Sequence, residues 1–401
     1  MNCINLNKIV QLSEKINTFA RKDYMIHRII RKQITEASDL NKVILIWGAR
    51  RVGKTTLVKS IIENLPDAKY FNCELLQNKE ALETTNSELL SAFLGNYKHL
   101  VFDEAQNIAN IGMILKIIHD TFPHKKIIAT GSSSFHLQQQ SGEPLTGRSR
   151  EFIMTPLSFE EVVEYEDMIT AHAKIENILR FGLYPEIYGK SEQFAIDELE
   201  NIASNYLFKD ILQFENLKKP DVLYNLIRAL AFQIGSEVSL NELSNKTGVH
   251  VNTVKRYIEL LEQNYVIFRL HALSNNPRNE IGKSQKIYFY DCGIRNALIR
   301  NYNPLNLRND IGQLWENFVV SEKRKMIFNY KRYANCWFWR NYQKKEIDYI
   351  EEQNNTYELF ECKYNAKKQV DIPKDFVKHY KNFTFNVVHI ENYWKFLTTK
   401  L

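Results

Sequence analysis

The chain has 401 residues, with 53 Lys and Arg against 47 Asp and Glu and a formal net charge of +6, so at about 100–200 residues per domain it holds several domains. Apolar residues make up 44% and charged residues 25%, with only 14 Gly and 9 Pro, which excludes a disordered tail, a collagen-like repeat and a linker-dominated chain. The small positive excess points to a polyanionic partner only where it is clustered.

Cys3, Cys73, Cys292, Cys336 and Cys362 are scattered, without metal-ligand spacing or a disulfide framework, so reduced thiols are expected. No stretch approaches the roughly 18 apolar residues of a membrane helix. Residues 1–35 mix Lys, Arg and Asn with isolated apolar positions and contain no signal-peptide core. A cytoplasmic protein with no membrane partner is expected.

Residues 1–41 read as helix with polar connections, and Ile29, Ile30 and Ile34 form an apolar stripe. From residue 42 the pattern becomes apolar run, Gly-rich turn and helix, and two further apolar runs end at Phe102 and Ala129. Strands alternating with helices predict a parallel sheet covered on both faces. Residues 136–147 read as a polar loop, and helical periodicity runs from Ser158 past Leu212 with a Gly-Leu-Tyr-Pro break at 182–185.

Gly48-Ala-Arg-Arg-Val-Gly53-Lys54-Thr55 fits G-x-x-x-x-G-K-[ST], with a strand before it and a helix after it. Two glycines let the backbone curl so that its N–H groups face phosphate oxygens, and the helix N-terminus adds its positive dipole end. Lys54 is placed to reach the β- and γ-phosphates of ATP, and Thr55 to ligate Mg²⁺. Gly48, Ala49, Arg50, Arg51, Val52, Gly53, Lys54, Thr55 and Thr56 together form the expected nucleotide-binding segment.

About 50 residues on, the apolar strand Leu100-Val-Phe ends in Asp103-Glu104, which supplies one carboxylate for the Mg²⁺ shell and another to polarise the attacking water. The next strand ends in Thr130-Gly-Ser132, where Thr130 and Ser132 are candidates for contact with the γ-phosphate or the water. Arg148, after the polar loop, is a candidate arginine finger, in cis or from a neighbouring subunit of a homo-oligomer.

The segments GARRVGKTT, LVFDEAQ, ATGSSS, LTGRSREFIMTPLSFEE and FGLYPEIY resemble a prokaryotic AAA+-type ATPase family whose members carry a C-terminal DUF4143 domain. The resemblance spans nearly the whole chain in order and implies an ATP-binding, ATP-hydrolysing protein.

In the middle, Leu223, Leu226, Ile227 and Leu230, then 240–243, then Val251, Val254, Ile258 and Leu261 mark three helices, with Thr247-Gly248 as the turn before the third. With a strand at 266–270 as wing, this looks like a winged helix. Its third helix would offer Asn252, Thr253, Lys255 and Arg256 to nucleic acid, although Glu259 and Glu262 on the same helix suit a packing module equally.

At the C-terminus, Glu316 lies on an amphipathic helix, Asp348 on a short strand, and Glu361 and Lys363 on one face of a second strand. Two carboxylates and an ammonium suit metal-dependent phosphodiester hydrolysis: Asp348 and Glu361 hold Mg²⁺, with the Cys362 carbonyl as third ligand. Lys363 would orient or deprotonate water, and Glu316 would extend the site to a second metal. This D…ExK arrangement resembles the PD-(D/E)xK nuclease fold, to which DUF4143 domains are similar.

From Glu322 to Lys345 basic residues interleave with aromatics, a pattern that can follow a phosphate backbone of DNA or RNA and stack bases. Lys323, Arg324, Lys325, Arg340, Lys344 and Lys345 are its expected exposed members, and Trp337 and Trp339 its core-facing ones.

The expected fold class is α/β: a P-loop parallel sheet with helices on both faces, a helical lid, a winged helix and an α+β restriction-endonuclease-like domain. The divisions are 1–155, 156–220, 221–277 and 278–401. The expected function is ATP hydrolysis coupled to nucleic acid through a Mg²⁺-dependent nuclease-like domain. The alternative is a nucleotide-switched regulatory or scaffold ATPase whose C-terminal domain binds protein or DNA without cleaving.

Overall fold

The computed structural model describes residues 25–132, 145–206, 220–274, 285–368 and 370–399. Strands β1 (Val43–Trp47), β2 (Ala68–Asn72), β3 (His99–Asp103), β4 (Lys126–Gly131) and β5 (Ser149–Ile153) form a sheet in the order β2-β3-β4-β1-β5. Every pairing in it is parallel.

Alternation along β1 sorts its side chains between the two faces. Val43, Leu45 and Trp47 pack with Leu100, Phe102 and Leu115, whereas Ile44 and Ile46 pack with Ile30, Ile34 and Val58. Both faces are therefore helix-covered, which is why these strands read as unbroken apolar runs. Because the strands run the same way, the loops leaving β1, β3 and β4 gather at one edge. That edge is where ligands bind in open α/β sheets.

The expected stripe of the N-terminal helix is present in the Ile30–Ala37 helix, where Ile30 and Ile34 are fully buried. Residues 1–24, most of the 136–147 loop and residues 207–212 of the long helical run lie outside the described residues.

The run that starts at Ser158 contains the helices Phe159–Tyr165, Met168–Ala173, Ile175–Phe181 and Glu192–Asn201. A capping box opens it: Ser158 Oγ accepts the Glu161 N–H, and the Glu161 carboxylate accepts the Ser158 N–H. Gly182 makes the expected break at φ +76°, and a Cβ there would fall 2.0 Å from an Asp291 carboxylate oxygen.

Helices Pro220–Phe232, Leu240–Thr247 and Val251–Gln263 follow, with Gly248 at φ +67° turning the chain between the last two. Leu223, Leu230, Leu243, Val254 and Ile258 join the same core as Ile44 and Ile46 of the first sheet. The three helices are thus packed onto the P-loop body rather than held apart from it.

Strand β6 (Ile267–Ala272), expected as the wing, pairs antiparallel with β7 (Gln285–Phe289). It also pairs in parallel with β8 (Asn335–Arg340) at His271 and Ala272. With β9 (Glu346–Gln353), β10 (Thr356–Cys362) and β11 (Phe383–Val388) these strands form a mixed six-stranded sheet, β11-β10-β9-β8-β6-β7. The expected 277/278 division lies between β6 and β7 in sequence, outside the described residues. Trp339, buried, and Trp337, half-buried, pack against one cluster with Ile347 and Phe376, as expected.

The Ile311–Tyr330 helix lies across this second sheet, and its Trp315 and Phe318 share a core with Phe159 and Tyr393. Among the described residues no helix is long and apolar enough to cross a membrane.

Candidate functional site

The loop from Gly48 to Gly53 leaves the end of β1 and feeds the Lys54–Ile62 helix. Gly48 sits at φ +156°, and a Cβ there would lie 2.0 Å from the Met154 carbonyl oxygen, so only glycine fits. Gly53 adopts φ +96° directly before the helix. Lys54 is 3% exposed, and its ammonium donates to the carbonyls of Gly48 and Ala49 at 2.9 Å each. The lysine thus lies along the inner rim of the loop, with its charge held against the loop's own carbonyls.

Asp103, at the end of β3, gathers three hydroxyls. Thr55 Oγ1 donates to Oδ2 at 2.7 Å, Tyr70 OH donates to the same oxygen at 2.5 Å, and Thr130 Oγ1 donates to Oδ1. Thr130 also accepts the Glu104 N–H at 3.1 Å, which ties β4 to the turn after β3. That turn holds Glu104 at φ +53°, and Gln106 Nε2 donates to its carboxylate at 2.6 Å. Ser132 is buried on the same edge, 3% exposed. Tyr70 belongs to no motif, and Gln106 ends the LVFDEAQ segment with no role assigned to it there; their roles emerge only from strand pairing and the turn. Burial, and then the Asp103 carboxylate beside it, push the Tyr70 phenol well above its ordinary value, so it remains a donor.

Arg28 fixes the loop from outside. Its guanidinium, 8% exposed as a residue, donates to the Val52 carbonyl at 2.7 Å, to the Thr155 carbonyl at 2.7 Å and to Glu161 at 3.1 Å. Arg51 reaches outward to Glu198 at 2.6 Å and Glu186 at 3.2 Å. Beside Gly53 and Thr56 a cavity of about 390 Å³ opens between the 25–31 segment and the Gly-Leu-Tyr-Pro turn, lined by Met25, Arg31, Pro185 and Tyr188.

Arg148 lies at the opposite end of the sheet. Its carbonyl accepts the Val43 N–H, at the first residue of β1, and its guanidinium pairs with Asp120 at 2.8 Å. The phosphate loop leaves from the last residue of β1, about 13 Å further at roughly 3.3 Å per residue. A finger acting in cis on its own loop is therefore corrected: the side chain is too short.

In the second sheet three of the four expected positions, Asp348, Glu361 and Lys363, converge. Phe360 registers with Tyr349 across the antiparallel β9–β10 pair, which sets Glu361 opposite Asp348. The Cys362 N–H donates to Asp348 Oδ2 at 2.8 Å, and Lys363 Nζ lies 2.6 Å from Glu361 and 3.7 Å from Asp348. Glu361 Oε2 is buried with no hydrogen-bond partner. Burial, and then Asp348, push the Glu361 carboxyl up from its ordinary value.

Glu316 enters from the Ile311–Tyr330 helix but does not join Asp348 and Glu361 as a third metal ligand. Lys286, at 1% exposure, stands between them, 3.0 Å from Glu316, 3.8 Å from Asp348 and 3.8 Å from Glu346. Tyr288 also donates to Glu316 at 2.7 Å. Burial alone would lower the Lys286 ammonium's pKa, but Glu316, Asp348 and Glu346 outweigh it and hold the lysine charged. Among the described residues no three His, Cys, Asp or Glu side chains are grouped as a metal site. The expected second-metal role of Glu316 is corrected by this lysine, which lies on a strand with no motif to announce it.

The expected basic stripe is divided. Lys323 and Lys325 are buried, paired with Glu351 at 3.2 Å and Glu322 at 2.7 Å, and Arg324 lies half-buried over Phe328. Lys344 and Lys345 are exposed, and Arg340 is half-buried. On the Val251–Gln263 helix, Asn252, Lys255 and Arg256 are exposed and Thr253 partly so.

A family model described as an AAA domain matches residues 40–163. Two models described as domains of unknown function, DUF8612 and DUF4143, match residues 172–307 and 311–392. An uncharacterized protein of Methanocaldococcus jannaschii is 26% identical over 331 residues, 75% of this chain and 70% of its own length. One from Haemophilus influenzae is 21% identical over 389 residues, 92% of this chain and 91% of its own. Among solved structures, the Walker-type ATPase PABY2304 of Pyrococcus abyssi has 16% identity and a TM-score of 0.47, covering 69% of this chain and 96% of that one. The chain therefore carries an AAA-type P-loop domain, and a DUF4143 domain follows it.

Proposed function

We propose that the protein binds and hydrolyses ATP at the Gly48–Thr55 loop and couples that cycle to nucleic acid through its C-terminal sheet. The observation that carries the first half is the convergence of Thr55, Tyr70 and Thr130 on Asp103 at the sheet edge, with the Glu104 N–H tied to Thr130 beside it. The Thr55 hydroxyl and Asp103 carboxylate are hard oxygens side by side, a donor set that fits Mg²⁺. Thr55 and Asp103 would hold the ion, which would supply neutralising charge for the phosphates.

The chain's own residues supply the remainder. Backbone N–H groups of the loop cradle the phosphates, and Lys54 turns from the Gly48 and Ala49 carbonyls to the β/γ oxygens. Glu104, steadied by Gln106, polarises the attacking water, and Thr130 and Ser132 face the γ-phosphate. The cavity lined by Met25, Pro185 and Tyr188 is sized and apolar enough for the adenine base. Arg148 acts, if as a finger, on a neighbouring copy's nucleotide.

The second half rests on Asp348, Glu361 and Lys363, set together by the β9–β10 register. Two facing carboxylates and the partnerless Glu361 Oε2 suit one divalent ion, with Lys363 orienting water toward a phosphodiester. The working divisions remain 1–155, 156–220, 221–277 and 278–401; the separate matches at 40–163 and 311–392 support a nucleotide body and a distinct C-terminal domain.

The test has two arms. Lys54→Ala is to lose ATP binding and turnover, while Glu104→Gln keeps binding and loses turnover by about 10²–10⁴-fold, the range for a positioned general base. Parent turnover in Glu104→Gln would remove that carboxylate from the mechanism. Mg²⁺- or Mn²⁺-dependent cleavage of single- and double-stranded DNA and RNA, absent in Asp348→Ala, tests the C-terminal arm. Binding without cleavage would leave a nucleotide-switched scaffold, the reading that the ammonium groups already paired to these carboxylates favour.

A further inference from the structure

Lys286 is the common neighbour of three carboxylates that come from two elements. Glu316 on the Ile311–Tyr330 helix lies 3.0 Å from its ammonium, and Glu346 and Asp348 on β9 each lie 3.8 Å away. Its position on β7, antiparallel to β6 at Leu270, points it across the sheet into this nest. Only 1% of it is exposed, so the charge is out of water's reach and must be balanced locally. Asp348 is the hinge between two half-sites. Its Oδ1 faces Lys286, while its Oδ2 accepts the Cys362 N–H and faces Lys363.

We propose that Lys286 is a positioning residue that stands where a second divalent ion would sit, so that the C-terminal site is a one-metal site with a built-in ammonium. This deepens, and rests on, the reading of Asp348 and Glu361 as the ligands of a single ion. The physical case is one of charge and room. Glu316, Glu346, Asp348 and Glu361 bring four carboxylates, against which Lys286 and Lys363 set two ammonium groups; the Arg340 guanidinium, shared with Glu237, lies 3.8 Å from Glu346 on its outer side. Lys363 serves the Glu361 half, where Oε2 remains partnerless and buried. Lys286 serves the Glu316 half, where Tyr288 satisfies Glu316 further at 2.7 Å. An ammonium has one positive charge and three donors, enough to hold three carboxylates in place without metal. It also fixes Asp348 Oδ1, leaving the Glu361 side as the open half.

The consequence is a gain-of-binding experiment on the full-length chain without nucleotide, with Mn²⁺ alone as the probe. Lys286→Ala removes the cation and leaves room among three carboxylates. It is to bind one more Mn²⁺ per chain than the parent by electron paramagnetic resonance titration, and its melting temperature is to rise with Mn²⁺ more than the parent's does. Because the single variant leaves buried carboxylates unbalanced, the charge-balanced Lys286→Ala/Glu346→Gln protein is the second variant. It keeps Glu316 and Asp348, and it too is to gain one Mn²⁺. No gain in the charge-balanced protein overturns the proposal, whatever the single variant does. The parent's own Mn²⁺, and its loss in Glu361→Gln, reports separately on the one-ion reading: its absence with a gain in the Lys286 variants sinks that reading and leaves the role of Lys286 standing.

Discussion

Glu322 accepts the backbone N–H of Phe159 at 2.6 Å across 163 residues of sequence. Phe159 opens the helix capped by Ser158 and Glu161, and Glu161 pairs with Arg28, which holds the Val52 carbonyl of the phosphate loop. Lys325 and Asn329, one and two turns beyond Glu322, donate to Leu157 O and Ser158 Oγ. Glu322 and Glu316 share one helix. The nucleotide loop is therefore joined by buried polar contacts to Glu322, and the rigid Ile311–Tyr330 helix runs from there to Glu316, an arrangement that can carry coupling when its ends have two states.

Arg28→Met tests that arrangement. The substitution removes the guanidinium from buried Glu161, which keeps the Ile29 and Ser158 N–H donors, and from the Val52 and Thr155 carbonyls; breaking a buried pair costs about 3–5 kcal/mol. Urea denaturation is to report a loss of that order. Hydrogen exchange in the Ile311–Tyr330 helix is to respond to a non-hydrolysable ATP analogue in the parent and not in Arg28→Met. An equal response in both proteins would mean that the coupling runs elsewhere.

Tyr70→Phe isolates one of the three hydroxyls on Asp103. Tyr70 and Thr55 donate to the same carboxylate oxygen, so losing the phenol frees Asp103 to rotate away from the phosphate side. A hydrogen bond to a charged group contributes about 1.5–3 kcal/mol. Part of that is to appear as a several-fold rise in the Mg²⁺ concentration giving half-maximal ATPase, with kcat at saturating Mg²⁺ little changed. A fall in kcat with unchanged Mg²⁺ dependence would place Tyr70 in the chemical step instead.

Much of the architecture was legible because its signals are local. The alternation of Val43 to Trp47, the Gly48–Thr55 spacing, the acidic end of β3 and the Glu361–Lys363 period each occupy a few consecutive residues. Arg28, Tyr70 and Lys286 were not legible, because each earns its role from residues between 24 and 133 positions away. Lys323 and Lys325 misled for the same reason. On a 20-residue helix covered on several sides, basic residues look solvated by pattern, and only the distant partners Glu351, for Lys323, and the Leu157 carbonyl, for Lys325, explain their burial. Arg148 looked like a finger by position after the polar loop, but strand direction put it at the far end of β1.

Arg148 now makes a prediction about assembly. Lying away from its own loop, it can stabilise charge on a transferring phosphoryl group only in a neighbouring chain. Specific ATPase activity is then to rise with protein concentration in step with a sedimentation shift, and Arg148→Ala is to flatten that rise. Because Arg148 also pairs with exposed Asp120, Asp120→Asn is the control for loss of the pair alone. A monomer with concentration-independent turnover would leave Arg148 as a surface ion pair, a kind of contact worth little to stability.

Nucleic-acid binding, if it uses the exposed cations, has a defined electrostatic signature. Each phosphate neutralised releases condensed counterions, so log affinity falls with log salt by about 0.7–0.9 per contact. The burial of Lys323 and Lys325 removes them from this count, and leaves Lys344, Lys345, Lys255 and Arg256 as exposed candidates. Replacing Lys344 and Lys345 by Ala is to lower the slope by about 1–2, with little dependence on base sequence. Replacing Lys255 and Arg256 by Ala tests the three-helix unit in the same units, and the two pairs are to add if one strand runs across both. Lys323→Met, by contrast, is to destabilise the fold by leaving buried Glu351 with one of its two cations, Arg332, and to leave the slope per folded molecule unchanged. Fluorescence anisotropy of labelled single- and double-stranded oligonucleotides from low to physiological salt separates these outcomes. No binding at low salt would remove nucleic acid as the partner of both surfaces and leave the C-terminal sheet as a protein-binding module driven by the ATPase.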